Sequence, residues 1–178
     1  MMILKSIIQN LRYFLLVFLS SESKIRYLRK QGMKIGKNCH FQTINFSTEP
    51  YLIEIGDHVA ITSGTKFITH DGGMWCFLHE IPNGDFFGKI KIGNNVHIGA
   101  SCIILPNTII GNNSMVGAGS VVRGKFPDNS VIIGNPARKI TDLNVIKFYY
   151  QQSPGLIKTY HLTDAEKKPI VKKHFNIT

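Results

Sequence analysis

Aliphatic side chains recur every six residues at Ile92, Ile98, Ile104, Ile110, Val116 and Val122, and glycine follows four of them directly, at Gly93, Gly99, Gly111 and Gly117. Neither a helix, with about 3.6 residues per turn, nor a strand, with side chains alternating every second residue, produces that spacing. A short strand, a corner and another short strand does, and three such strands complete one coil of a triangular prism. Each anchor then points inward. After three repeats the chain returns one layer up, with Ile110 over Ile92, Val116 over Ile98 and Val122 over Ile104. Layers about 4.8 Å apart let each backbone N–H and C=O pair with the coil above or below. The residues two before the anchors, Val96, Cys102, Thr108, Ser114 and Ser120, are small or branched and suit a cramped corner. Glycine and asparagine at the turns supply positive φ or close backbone approach.

The same step extends backwards with interruptions. Anchors stand at Ile35 and Phe41, the register slips by two residues through Ser47 to Pro50, and it resumes at Ile55, Ile61 and Phe67. From Phe67 to Ile92 there are 25 residues where 24 would keep step. Within that interval, 71–91 has no six-residue period but holds Trp75, Phe77, Phe86 and Phe87. Long loops in compact domains are usually functional or disordered, and this aromatic content argues against disorder. A projecting loop is expected.

Ahead of the prism, Met1–Leu19 is apolar but broken by Lys5, Ser6, Gln9, Asn10 and Arg12, short of the roughly 20 apolar residues that span a bilayer. No small-residue cleavage pattern follows Leu19, which argues against a secretory signal. A helix capping the first coil is expected there, with interfacial membrane contact as the alternative. A basic helix over Glu22–Gln31 is expected to end at Gly32. Beyond Val122 the repeat fades at Phe126-Pro127 and closes over Val131–Ile140. A terminal helix is expected over Thr141–Gln152, then a second one opened by a capping-box pattern at Thr163–Glu166 and limited by Pro169. The chain therefore divides as one domain, 1–178, with a helical cap (1–33), a prism (34–140) carrying the loop 71–91, and a helical tail (141–178).

The in-frame anchors, with the closing segment Gly134-Asn135-Pro136-Ala137-Arg138, resemble the hexapeptide-repeat acyltransferases over about Ile35–Ile140. Within that family the chain is most similar to sugar and polysaccharide O-acetyltransferases of the galactoside, xenobiotic and colanic acid types. The resemblance implies a mainly β fold, a left-handed parallel β-helix. It also implies acetyl-CoA as co-substrate and a homotrimer with sites at subunit boundaries. The hand comes from the resemblance alone, since ordinary strand crossovers are right-handed.

The resemblance makes His70, at the start of the loop, the catalytic base, and a histidine's unperturbed pKa suits proton transfer near neutral pH. A rigid wall holds it while the loop closes over it. Asp71 is a candidate to orient the ring, and His79 inside the loop is the rival base. His97 stands where the sugar acetyltransferases carry tryptophan, so the acceptor pocket departs from theirs. Trp75 offers a flat face to a sugar ring or packs within the loop. Asp71, Trp75, His79 and His97 are the candidate acceptor contacts. Donor contacts are assigned by resemblance to Ala100, Gly117, Ala118, Ser120, Lys125, Arg138 and Lys139: small residues beside the pantetheine arm, cations for the phosphates of coenzyme A. Gly117-x-Gly119 lacks the third glycine of a dinucleotide loop.

Composition narrows the partners. A formal charge of +10 points to an anionic partner, but the sequence has no nucleic-acid signature and its basic residues cluster at the two ends, so no nucleic-acid partner is expected. Three cysteines without metal spacing fit a reducing cytoplasm, and seven histidines with no close pair imply no metal. The sequence thus reads as an acetyl-CoA-dependent O-acetyltransferase acting directly on a hydroxyl of a sugar or surface-polysaccharide precursor. It is expected in the cytoplasm, with peripheral contact at the inner membrane face through its N-terminal helix as the alternative to a packed cap. An amino-sugar N-acetyltransferase, an antibiotic hydroxyl acetyltransferase and a non-enzymatic β-solenoid scaffold stay open as alternatives.

Overall fold

A computed structural model of the protein describes residues 18–177. Three walls of short strands carry the fold. The first wall contains β1 (Lys34–Ile35), β3 (Ile53–Ile55), β6 (Ile90–Ile92), β9 (Ile109–Ile110) and β12 (Lys125–Phe126). The second contains β2 (His40–Phe41), β4 (Val59–Ile61), β7 (Val96–Ile98), β10 (Ser114–Val116), β13 (Ser130–Gly134) and β14 (Ala137–Asp142). The third contains β5 (Lys66–Phe67), β8 (Ile103–Ile104) and β11 (Val121–Val122). The chain visits first, second and third walls in turn, and among the described residues these strands pair in parallel except β13 with β14.

The register is the one the six-residue period predicts: Ile92 pairs with Ile110, Ile98 with Val116 and Ile104 with Val122. Ile98, Ile104, Val116 and Val122 are wholly buried. Outward neighbours alternate with them, so Lys91 and His97 are exposed between buried residues. In the lower coils aromatic rings replace aliphatic anchors. Phe46 stacks on Phe41 and on Phe67, with ring centroids 5.4 and 4.7 Å apart.

Two kinds of corner hold the coils together. Ahead of the anchors, Cys102, Thr108 and Ser120 are buried because their side chains serve corner carbonyls, as when Ser120 Oγ donates to Gly117 O at 2.6 Å. Between the first and second walls runs a ladder of acceptors. Asp57, Asn94, Asn112 and Asp128 each accept, through Oδ1, the backbone N–H of Lys37, Asp57, Asn94 and Asn112 at 2.6–2.8 Å. The residues after them, His58, Asn95, Asn113 and Asn129, take positive φ of 52–59°, a conformation asparagine tolerates better than most residues.

The register slip is absorbed in one place. Ile35 pairs with Ile55, 20 residues on instead of 18. The surplus sits at Ser47, with φ of +50°, and in a 3-10 turn over Pro50–Leu52. The loop is shorter than its sequence boundaries imply, because Ile90 and Lys91 already belong to β6, pairing with Ile53 and Glu54.

Helix α1 (Ser21–Lys30) packs on β1 and β2, burying Ile25 and Leu28 over the end of the first coil. Ser20 Oγ accepts from Ser23 N at 3.3 Å, and Gly32 ends the helix with φ of +90°. The capping helix expected over Met1–Leu19 lies, up to residue 17, outside the described residues. At the other end β14 folds back on β13, and Arg138 and Lys139 charge its outer edge against further pairing. This strand reaches Asp142, so the helix expected from Thr141 begins two residues later, as α2 (Leu143–Gln152).

A second compact unit runs from Asn144. Its helix α3 (Asp164–His174) opens with a capping box: Thr163 N donates to Glu166 Oε2 at 2.8 Å, and Glu166 N to Thr163 Oγ1 at 3.4 Å. Pro169 lies inside this helix instead of limiting it. It forfeits one backbone bond, but a helix anchored by its cap continues through that loss. Among the described residues no helix is long and apolar enough to cross a membrane.

The alternation makes a paired prediction. Ile92→Ala should lower the unfolding free energy by about 2–5 kcal/mol, the usual cost of a large-to-small change in a core, while Lys91→Ala beside it should stay within about 0.5 kcal/mol. Denaturant titration of both checks this, and similar losses would mean that the wall does not alternate as described.

Candidate active site

The third wall positions the first candidate side chain. Ile68 N still donates to Ile104 O, at 2.8 Å, so the chain remains on the coil until it reaches Thr69 and His70. There the two legs of the loop meet in a narrow neck: His70 bridges Phe87, Asp71 N donates to Phe86 O at 2.9 Å, and Gly88 N donates to Thr69 O at 2.7 Å. His70 therefore stands on rigid backbone at the mouth of the loop. Its ring meets Phe87 edge-on, centroids 6.2 Å apart, and its side chain is 47% exposed.

Beside the ring lies a carboxylate that sequence reasoning did not select. His70 Nδ1 is 3.1 Å from Oε2 of Glu49, whose side chain is only 14% exposed. Glu49 belongs to the segment that absorbs the register slip. Thr69 Oγ1 lies 2.7 Å from Glu49 Oε2, Ser47 Oγ lies 3.2 Å from it, and Thr48 Oγ1 reaches the other oxygen. Burial alone would raise the carboxyl's pKa, but hydrogen bonds from Thr48, Thr69, His70 and Ser47 outweigh it and bring Glu49 down to about 2. A carboxylate fixed in this way accepts the Nδ1 proton, which directs the lone pair of a neutral ring to Nε2. Such a pair can take a proton at Nε2 and steady the imidazolium that results.

Asp71 does not face the ring. Its Oδ2 is 2.9 Å from Arg123 Nη2 and its Oδ1 accepts from Gly73 N at 3.0 Å. The Arg123 hydrogen bond, then the Gly73 N–H, hold its carboxyl below the ordinary range. His79 is exposed, 3.1 Å from Glu80, and Trp75 is 80% exposed on the loop. His97 faces outward on the second wall between Ala60 and Met115, so the wall separates it from the loop neck.

The donor candidates divide. Ala100, Gly117 and Ala118 stack at the corner between second and third walls, where Gly119 N donates to Ala100 O at 2.8 Å. Ser120 shares that corner, but its hydroxyl is turned inward, donating to Gly117 O and accepting from Gly134 N at 3.2 Å. The latter bond ties the β13–β14 turn, and with it exposed Arg138, to the same corner. Lys139 Nζ lies 2.6 Å from Asp142. Lys125 stands on the first wall, away from this group. An open groove of about 570 Å³ along the first wall, between Lys34, Lys91 and Asp128, touches neither His70 nor the alanine corner.

Comparison with known proteins bears on these features. Residues 89–124 match the bacterial transferase hexapeptide family (six repeats). The chain is 55% identical to protein CapG of Staphylococcus aureus over 126 residues, 69% of this chain and 72% of that one. It is 31% identical to a galactoside O-acetyltransferase of Lactococcus lactis subsp. lactis (strain IL1403) over 145 residues, 68% of this chain and 70% of that one. The chain belongs to the hexapeptide-repeat transferases. It is an acyltransferase. A solved family structure, a maltose O-acetyltransferase from Clostridium difficile 630, superposes with a TM-score of 0.51 at 29% identity, covering 68% of this chain and 75% of that one.

Within this hexapeptide-repeat transferase the Glu49 carboxylate gives a pH test. Its folded pKa is depressed, so its contribution to stability is complete above its ordinary value near 4.5 and is lost as pH falls toward about 2. Unfolding free energy measured across that window should fall more steeply for the wild type than for Glu49→Gln. Parallel curves would remove the hydrogen-bonded carboxylate from the account.

Proposed function

We propose that this acyltransferase is an acetyl-CoA-dependent O-acetyltransferase whose acceptor is a hydroxyl of a sugar or of a surface-polysaccharide precursor. The observation that carries the reading is the His70–Glu49 pair, presented at the mouth of an aromatic loop on a fold shared with proteins named for O-acetylation of galactosides and maltose. The acceptor hydroxyl gives its proton to Nε2 of His70 as its oxygen attacks the thioester carbonyl. A backbone N–H from a coil turn stabilises the oxyanion. The tetrahedral intermediate then collapses, the C–S bond breaks, and the departing thiolate takes the proton back from the imidazolium to leave as coenzyme A. No acyl-enzyme forms, and holding both substrates together supplies much of the acceleration. Glu49 keeps the ring's tautomer and orientation throughout.

Acetyl-CoA would lie along the corner of Ala100, Gly117 and Ala118, with Arg138 near its phosphates. His70 sits at the opposite edge of the third wall, where the chain leaves for the loop. This separation supports a homotrimer in which the histidine of one subunit faces the donor corner of the next, and it gives the exposed Trp75, Phe77, Phe86 and Phe87 a neighbour to cover them. We read the coil as left-handed, as the resemblance implies. The unpaired thiols of Cys39, Cys76 and Cys102 support a cytoplasmic setting.

Release of free thiol from acetyl-CoA, with a galactoside and maltose as first acceptors, tests the reading. His70→Ala should lower kcat at least about 100-fold, the usual scale of a general base, with little change in KM for acetyl-CoA. Near-normal turnover in that variant, with a collapse in His79→Ala, would move the base into the loop.

A further inference from the structure

The formal charge of +10 is not spread along the chain. Residues 1–37 hold eight Lys and Arg against Glu22, residues 144–178 hold six lysines against Asp164 and Glu166, and residues 38–143 hold seven Lys and Arg against eight Asp and Glu. The prism is thus close to neutral and both ends are cationic. The C-terminal share belongs to the second compact unit.

Helix α2 in this unit has no buried residue. By helical spacing Asn144, Lys147 and Gln151 form a polar stripe, while Val145, Phe148 and Tyr149 lie on the remaining surface. Those three side chains are 55–64% exposed, and Leu156, Tyr160 and Phe175 are exposed as well. Helix α3 adds Lys172 and Lys173 in its last turn. Aromatic rings beside lysines are what a helix lying in a bilayer interface carries, the rings at headgroup depth and the cations on lipid phosphates.

We infer that residues 144–178 dock the protein on an anionic lipid bilayer, with Phe148 and Tyr149 entering the interface and Lys147, Lys172 and Lys173 meeting headgroup phosphates. A second copy is the poorer occupant: its own tail is equally cationic and its near-neutral prism offers little net negative charge in return. The inference stands apart from the acetyl-transfer reading and goes beyond an attachment through the N-terminal segment.

Sedimentation of the full-length protein with vesicles tests it. Vesicles of phosphatidylglycerol and phosphatidylcholine in equal parts should bind at least about tenfold more tightly than phosphatidylcholine alone, since a few lysines near a charged surface each contribute roughly a factor of five. Phe148→Ser with Tyr149→Ser, and separately Lys172→Glu with Lys173→Glu, should each weaken that binding at least about tenfold without moving the thermal midpoint. The lysine pair stands in the last turn of α3, a helix with no buried residue, so it reports even if the aromatic pair disturbs folding. Failure to bind either vesicle overturns the inference. So does undiminished binding by both variants, which would assign attachment to residues 1–37. An assembly that falls apart on replacing Phe148 and Tyr149, with no vesicle binding, would give the face to a second copy and overturn it too.

Discussion

Each coil of the prism hangs on its neighbours by backbone hydrogen bonds whose register the inward anchors fix. Ile98 O accepts from Thr62 N one layer down at 3.0 Å, while Gly99 N donates to Val116 O one layer up at 2.9 Å. Sliding one coil by a single residue would turn every anchor outward and every lysine of the first wall inward. The pairing therefore keeps corner over corner, and residues far apart in sequence become fixed neighbours along an edge. The Asp57–Asn94–Asn112–Asp128 ladder and the alanine corner are two results of that constraint.

The chemistry in the proposed mechanism sits where the constraint is relaxed. Two surplus residues around Ser47–Pro50 cannot join a wall, so the chain bulges at the edge below Thr69 and His70. The bulge carries Glu49 to the imidazole and places Ser47 and Thr48 around its carboxylate. The second irregularity, between Phe67 and Ile92, is the aromatic loop whose neck His70 forms with Phe87. A regular coil would offer neither the half-buried acid nor the cover. In that mechanism the acid–base pair belongs to the breaks in the repeat and the donor corner to the repeat itself.

The walls were legible in the sequence because a six-residue period is the signature of an inward anchor at each corner, and even the slip and the surplus residue before Ile92 could be read from it. His70 was legible as the residue at the junction of wall and loop. Glu49 was not, because its contact crosses from one coil to the next and depends on where the surplus residues fold. The slip itself was the available signal: an acidic residue in a segment that must leave the wall. Asp71 misled by adjacency. In the extended backbone at Asp71 successive side chains diverge, and this one turns to Arg123. Ser120 and Lys125 rest on the resemblance alone, and a likeness along the chain does not tell an inward hydroxyl from an outward one or one wall from another. Pro169 followed a rule for helix interiors that the strong cap at Thr163 offsets.

A single chain holds His70 and the proposed donor corner on different edges of the third wall, so the proposed mechanism needs two subunits for each working site. Co-assembly measures this directly. His70→Ala subunits, with an intact donor corner, are mixed under exchange with Ala118→Trp subunits, whose corner is blocked but whose His70 is intact. Each variant alone is inactive. If His70 of one subunit serves the corner of the next, random equal mixing restores about a quarter of wild-type activity, the chance that a site draws its histidine and its corner from the two intact sources. Activity that stays at the level of the separate variants, in trimers shown by mass to be mixed, would place both halves of the site in one chain and contradict the account.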